Sequence, residues 1–351
     1  MGVQVAFPPP AAVHPRSSGS GPDRVPGGGR ILFTTAHGIG VLYPTGALAH
    51  LGGWRAADAF FDPLNPGDVL VHPFDGRWQD LRQYRRGARG WRAVRTWRAG
   101  MAEYSAVYPG GRWVAFNVFR NSKMTGTVRL TGRDGTSRVL HSDDLSVLSW
   151  TTTDQVLLSD WDHPRRVFVW DPFGGTLGPV FLDRNLASKL PEEARSPWLD
   201  TRNLSWSADG RYFTAPITWK EHGEYRTGVA VGTVSAGILR AIPTGNNFMI
   251  PTWSPTRPEV AYVVASRYGD PSARLFLFHV RTGRRTVVRR HVPTGSWWVA
   301  WSPAGSWMLL DDPKRNRWLF VSTHGATVHR PALGSFPRWA TPGVGIHIVV
   351  C

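Results

Sequence analysis

LSWSADGRYFTA at 204–215, PTWSPTRPEVAYVV at 251–264 and VAWSPAGSWMLLD at 299–311 are three copies of one pattern. In each, a short apolar stretch ends on Trp, a Ser-led turn built from Pro, Asp or Gly follows, and a second strand-like run begins. Weaker copies are LSWTTTDQVLLSD at 148–160, AVYPGGRWVAFNV at 106–118 and AFFDPLNPGDVLVH at 59–72, and a last fragment, PRWATPGVGIHIVV, begins at Pro337. The anchoring aromatics are Phe61, Tyr108, Trp150, Trp206, Trp253, Trp301 and Trp339, spaced by 47, 42, 56, 47, 48 and 38 residues. A repeat of about 46 residues is the length of a four-stranded propeller blade.

A second ruler counts the same way. After each copy comes an apolar run and a turn bearing Gly46, Gly90, Gly135, Gly175, Gly237, Gly283 or Gly325, at steps of 44, 45, 40, 62, 46 and 42 residues. Both rulers stretch at one place only, from Trp150 to Trp206 and from Gly175 to Gly237, which places an insertion at 183–201, where the only helix is expected. Third strands such as RLFLFHV (274–280) and RWLFV (317–321) are apolar on both faces, as sheets sandwiched between neighbours require. Fourth strands such as RTVVRR (285–290) are more polar and suit an outer rim. The chain therefore reads as all-β, a seven-bladed β-propeller.

The two ends complete one blade. RILFTTAHGIGVLYPTGALAHLGG (30–53) has the later strands of a blade but no opening aromatic turn, and PRWATPG (337–343) supplies an opening strand. Pairing them covers both exposed edges. RILFTT and GIHIVV both fit the second strand of that blade, so one of them is surplus. Residues 30–351 form the propeller; residues 1–29, with SSGSGPDRVPGGG, read as a disordered Pro/Gly/Ser-rich tail.

WSADGRYFTA, WSPTRPEVAYVV and WSPAGSWMLL resemble the repeats of TolB-type propellers, whose consensus runs Trp-Ser-Pro-Asp-Gly into a short strand. The resemblance spans residues ~30–351 and is structural. Only Asp209-Gly210 keeps the Asp-Gly pair, and the Gly-His and Trp-Asp marks of the related Trp-Asp repeats do not recur. It implies a fold and interaction surfaces, not a biological role.

Several function classes lack their marks. There is no Gly-x-Ser-x-Gly elbow, phosphate loop, dinucleotide fingerprint or His-Glu-x-x-His. The single cysteine, Cys351, excludes an intrachain disulfide. No run approaches the ~18 apolar residues of a membrane span, and the start shows no convincing signal peptide, so cytoplasmic residence is the default expectation. Neither a cofactor nor a metal is expected, and the chain is expected to be monomeric. The 12 His are scattered; His163, His222 and His324 sit in comparable loops as solvated residues.

Against 25 acidic residues stand 41 basic ones, of which only Lys123, Lys189, Lys220 and Lys314 are lysines. The resulting +16 attracts anions. In RRGARGWRAVRTWR (85–98), Arg alternates with Trp91 and Trp97. That pattern fits phosphate contacts with base stacking, but fits better a rim hairpin with alternating faces.

Function in such a scaffold belongs to loops held by the rigid ring. Connections from second to third strands are chemically rich: FRNSKMTG, SDWDHPRR, TWKEHGEYRT, SRYGDPSAR and DDPKRNR. They offer Arg120, Lys123, Trp161, His163, Trp219, His222, Arg267, Tyr268, Lys314 and Arg315, a set of aromatic anchors within positive charge. The first reading is a non-catalytic binding or scaffold protein that recognises a protein partner or an anionic ligand there. The alternatives are a lyase or hydrolase at the channel mouth, metal-assisted or not, and a polyanion or nucleic-acid adapter.

Overall fold

The structure, a computed structural model, describes residues 24–35, 37–52, 56–74, 81–88, 90–97, 104–107, 112–120, 123–141, 145–151, 153–160, 163, 166–245, 247–248, 251–265, 272–293, 299–339 and 346–349. Seven antiparallel sheets follow one another as blades around a ring. The inner strands of successive blades pack side by side: Tyr104–Val107 on Leu145–Trp150, Ser205–Trp206 on Thr252–Trp253, Thr252–Trp253 on Ala300–Trp301, and Ala300–Trp301 on Ser335–Trp339. Among the described residues the only helices are three-residue 3-10 turns, one of them Ala187–Lys189 in the insertion, and no helix is long and apolar enough to cross a membrane.

Ring closure follows the pairing of the two ends. In blade 1, Ser335–Trp339 is followed outward by Ile31–Thr35, Gly38–Leu42 and Leu48–Gly52. RILFTT is thus the second strand of that blade, and the surplus segment is the C-terminal one. Ile346–Val349 pairs with Tyr104–Val107, from Ile346 opposite Val107 to Val349 opposite Tyr104. It becomes a fifth strand on blade 3, on the edge that faces the axis.

Each anchoring aromatic of a described turn ends its inner strand, and most are buried: Trp150, Trp253 and Trp301 are 3%, 7% and 4% exposed. The indole of one blade bonds to the inner strand of the blade before it. Trp253 Nε1 donates to Ser205 O at 3.0 Å, and Trp301 Nε1 donates to Thr252 O at 3.3 Å. The serine after each Trp holds the turn: Ser302 Oγ accepts the N–H groups of Ser306 and Trp307, and Ser207 Oγ accepts that of Tyr212. All seven glycines of the second ruler have positive φ, from 70° at Gly283 to 105° at Gly90, a conformation with a steric cost for side chains. The second ruler is therefore a backbone requirement, as the first is a packing requirement.

The tail boundary needs correction. Residues 24–29, read as disordered, dock between blades 7 and 1. Val25 is 4% exposed and packs with Ile31, Phe33, Leu42, Trp318 and Phe320. Val25 N–H donates to Pro44 O at 3.1 Å, and the Arg330 guanidinium bonds to Arg24 O. Gly27, Gly28 and Gly29 all have positive φ, at 74°, 65° and 76°. Low complexity here encodes a backbone path, not disorder. A Cβ on Gly27 would lie 2.8 Å from Ser302 Cβ and 2.9 Å from Trp307 Cδ1. Gly27→Ala therefore lowers stability by about 1–3 kcal/mol, read as a fall in the melting temperature. Gly28→Ala, with open space around it, costs less.

Candidate functional site

The connections from second to third strands share one side of the ring, since every blade runs antiparallel in the same order. Three of them, in blades 4, 5 and 7, repeat one arrangement. The second strand ends on an acid, and an arginine at the start of the third strand returns to it. In blade 4, Asp160 Oδ2 lies 3.3 Å from His163 Nδ1 and 3.9 Å from Arg166. In blade 5, Arg226 Nε bonds Glu221 Oε2 at 3.1 Å. In blade 7, Arg317 Nε bonds Asp312 Oδ2 at 3.0 Å, and Arg315 reaches the same oxygen at 3.4 Å.

Each bracket solves a local problem. Asp160 and Asp312 are buried, and a buried carboxylate without a partner is costly. The Arg covers the charge and also pins the ends of the loop. Asp160 Oδ1 further accepts the His163 N–H at 2.9 Å, which shapes the turn. In blade 5 the loop is a two-residue hairpin in which His222 and Gly223 take φ of 51° and 85°. It presents Tyr225, 66% exposed, with Lys220 Nζ 5.1 Å from its ring centroid. Among the described residues of these loops the acids are thus engaged, while His163, His222, Lys314 and Arg315 are exposed.

The proposed set divides. Trp219 is not a surface anchor: it is 3% exposed and packs with Leu148, Leu157, Phe213, Ala215 and Ile217. The strand Phe213–Glu221 is longer than its sequence motif, so Trp219 falls in step with Phe213, Ala215 and Ile217 on the inward face. Arg120 and Lys123 oppose each other across the hairpin of blade 3. Trp161, Arg267 and Tyr268 lie outside the described residues. His163, His222, Lys314 and Arg315 stand on the shared side. Sequence reasoning missed Arg166, Glu221, Arg226 and Arg317; the signal is an acid and an arginine flanking the connections of blades 4, 5 and 7.

The basic tract 85–98 is the rim hairpin of blade 2, Leu81–Gly87 with Gly90–Trp97. Trp97 is 2% exposed, and Trp91 is partly covered against blade 1. Neither indole is free to stack on a base. Arg86 lies over the Tyr43 ring at 4.8 Å. Arg85 bonds Asp68 at 2.7 Å, part of a buried network in which Gln83 Nε2 donates to both Asp62 and Asp68, at 2.8 and 2.6 Å. Arg133 reaches across from blade 3 to both Asp62 oxygens at 2.6 Å. Asp62 stands where other blades have the turn serine, so this network links the blades on the side opposite the loops.

Among the described residues no three His, Cys, Asp or Glu side chains come together as a metal site. No protein-family model matches the sequence, and no curated protein does. Solved structures do match. A functionally unknown protein from Desulfotomaculum acetoxidans is 12% identical, with a TM-score of 0.54, over 91% of this chain and 98% of that one. The dihydro-heme d1 dehydrogenase NirN, in complex with DHE, is 15% identical at a TM-score of 0.54, over 93% and 77%. An oligogalacturonate lyase in complex with manganese is 15% identical at 0.51, over 83% and 81%. These likenesses show a shared fold and nothing finer. TolB from Acinetobacter baumannii, 14% identical over 88% of this chain and 81% of that one, scores 0.42 and carries no argument.

Exposure separates the two arginines of the buried network. Arg133 is 16% exposed and covers Asp62 at 0%, so Arg133→Ala costs about 3–5 kcal/mol in denaturant unfolding. Arg85 is 50% exposed, so Arg85→Ala should cost far less than Arg133→Ala in the same measurement.

Proposed function

We propose that this chain is a non-catalytic binding propeller whose loop-bearing side takes an anionic ligand or an acidic segment of a protein partner. The observation that supports this most is the charge arrangement of the loops of blades 4, 5 and 7. Their acids Asp160, Glu221 and Asp312 are neutralised from within, by Arg166 with His163, by Arg226, and by Arg315 with Arg317. Outward on that side stand His222, Lys220 with Tyr225, Lys314 and Arg315, and the one exposed acid among the described residues of these three loops, Glu224, is paired to Arg226 at 3.3 Å. Self-neutralised acids next to outward bases give a positive local field, which steers anions toward the ring more strongly than net charge alone.

The rest of the ring favours this side over the other. The opposite side is made of tight Ser- and Gly-bearing turns whose serines are engaged in turn bonds, as Ser207 and Ser302 are. The nucleic-acid reading loses its stacking platform with Trp91 and Trp97 packed against the blades. The enzyme reading has analogues of similar architecture, a manganese-bound lyase among them, but among the described residues no cluster of metal-ligating side chains supports it.

A fluorescent poly-glutamate peptide tests the reading at low salt. Lys314→Glu with Arg315→Glu should weaken its binding at least tenfold. Arg138→Glu, an exposed arginine on the outer strand of blade 3, serves as the control and should change it less than threefold. Equal weakening by the control would show general charge attraction and contradict a located site.

A further inference from the structure

The seam between blades 6 and 7 carries more positive charge than its single carboxylate balances. In blade 7, Arg317 is opposite both Asp312 and Pro331, and Leu319 is opposite His329. Residues in such pairs share a sheet face, and so do residues two apart along a strand. Leu310 and Leu319 are buried against blade 6, so Asp312, Arg317 and His329 face blade 6 as well. From the other side, Arg289 is opposite Leu275, which is buried against blade 7, so Arg289 faces blade 7. Arg289, Arg317 and His329 therefore face one another across the outer part of this seam, with Arg315 reaching it from the loop.

The electrostatics agree with that placement. Partial burial lowers the His329 pKa first, and Arg317, Arg289 and Arg315 lower it further, with only Asp312 opposing them. Asp312 Oδ2 is already shared by Arg317 and Arg315, at 3.0 and 3.4 Å. Among the described residues Arg289 has no ion pair and no hydrogen bond to a side chain. Three guanidinium groups and an imidazole thus face one carboxylate, a repulsive arrangement that a bound anion would relieve.

We propose that this seam is a binding site for a dianionic phosphate group, held by Arg289, Arg315 and Arg317 with His329 completing the ring of donors. It rests on the anion-binding reading of the loop side and names the ligand class there. Phosphate fits better than a carboxylate on two counts. The charge left over after Asp312 is about two units, matching a phosphate monoester dianion near neutral pH. The donors also come from two blades and a loop, so they approach from several directions, which suits a tetrahedral oxyanion over a planar one. The phosphate is either free in a small molecule or carried on a phosphorylated side chain, and the two sources share this chemistry.

The test uses the full chain with inorganic phosphate, then with free phosphoserine and a phosphoserine peptide, at constant ionic strength set by chloride. Inorganic phosphate should bind saturably and raise the melting temperature, and the His329 ring should titrate higher when it is bound. Arg289→Gln removes a residue without an ion pair; it should keep the fold and weaken phosphate at least tenfold. His329→Gln should weaken it less. Tighter binding of the peptide than of free phosphoserine identifies a protein-borne phosphate, and equal binding identifies a small molecule. Absence of saturable phosphate binding, or unchanged binding in Arg289→Gln, overturns the proposal. If that happens while poly-glutamate binding still depends on Lys314 and Arg315, the general anion-binding reading stands and only the seam site falls.

Discussion

The pairing of Ser335–Trp339 with Ile31–Thr35 is the contact on which the rest of this molecule depends. Each blade buries both of its faces against neighbours, so no blade is stable at an open end. A ring removes the ends, and here blade 1 is built from both termini of the described chain. The register runs from Ile31 opposite Trp339 to Thr34 opposite Ser335, with one irregularity between. The Gly27–Gly29 strap adds a second tie at the same seam, since Val25 fills the space between Phe33 of blade 1 and Trp318 of blade 7.

A closed ring divides the labour between its two sides. On one side, buried serines, Asp62 and the indoles of Trp253 and Trp301 convert polar groups into fixed turns and interblade bonds. On the other, the acid–arginine brackets fix loop ends while leaving Lys314, Arg315 and His222 outward. Rigidity below and charge above is the arrangement expected when a scaffold holds a binding surface in place. The fifth strand on blade 3, Ile346–Val349, bears on the same question from within, because it takes the axis-facing edge of Tyr104–Val107.

The architecture was legible because two different constraints repeat with the blade. Trp150, Trp253 and Trp301 recur since each must fill an interblade gap, and Gly46 through Gly325 recur since each hairpin needs positive φ. Features that occur once were harder to read. The Gly27–Gly29 run looks like flexible linker, yet the space beside Gly27 is set by Ser302 and Trp307, far along the chain, which no local pattern reveals. Trp219 was assigned to a loop by assuming a short strand; its two-residue phase with Phe213, Ala215 and Ile217 held the correct answer. The brackets of Asp160, Glu221 and Asp312 were visible as flanking acids and arginines, but blade 5 places them five residues apart and blade 4 six, so spacing alone does not show them. The convergence of Arg289 with Arg317 and His329 depends on which sheet face each occupies, and that follows only from the strand register.

Native-state hydrogen exchange at Ile31–Thr35 and Ser335–Trp339 tests the closing pair most directly. If these two strands close the ring, their bonded amides exchange only through global unfolding, with the same free energy and the same denaturant slope as the central strand Val260–Val263 of blade 6. Rapid exchange of Ser335–Trp339 while Val260–Val263 stays protected would show that the C-terminal strand is a loose appendage, and would contradict a ring held shut by the two ends of the chain.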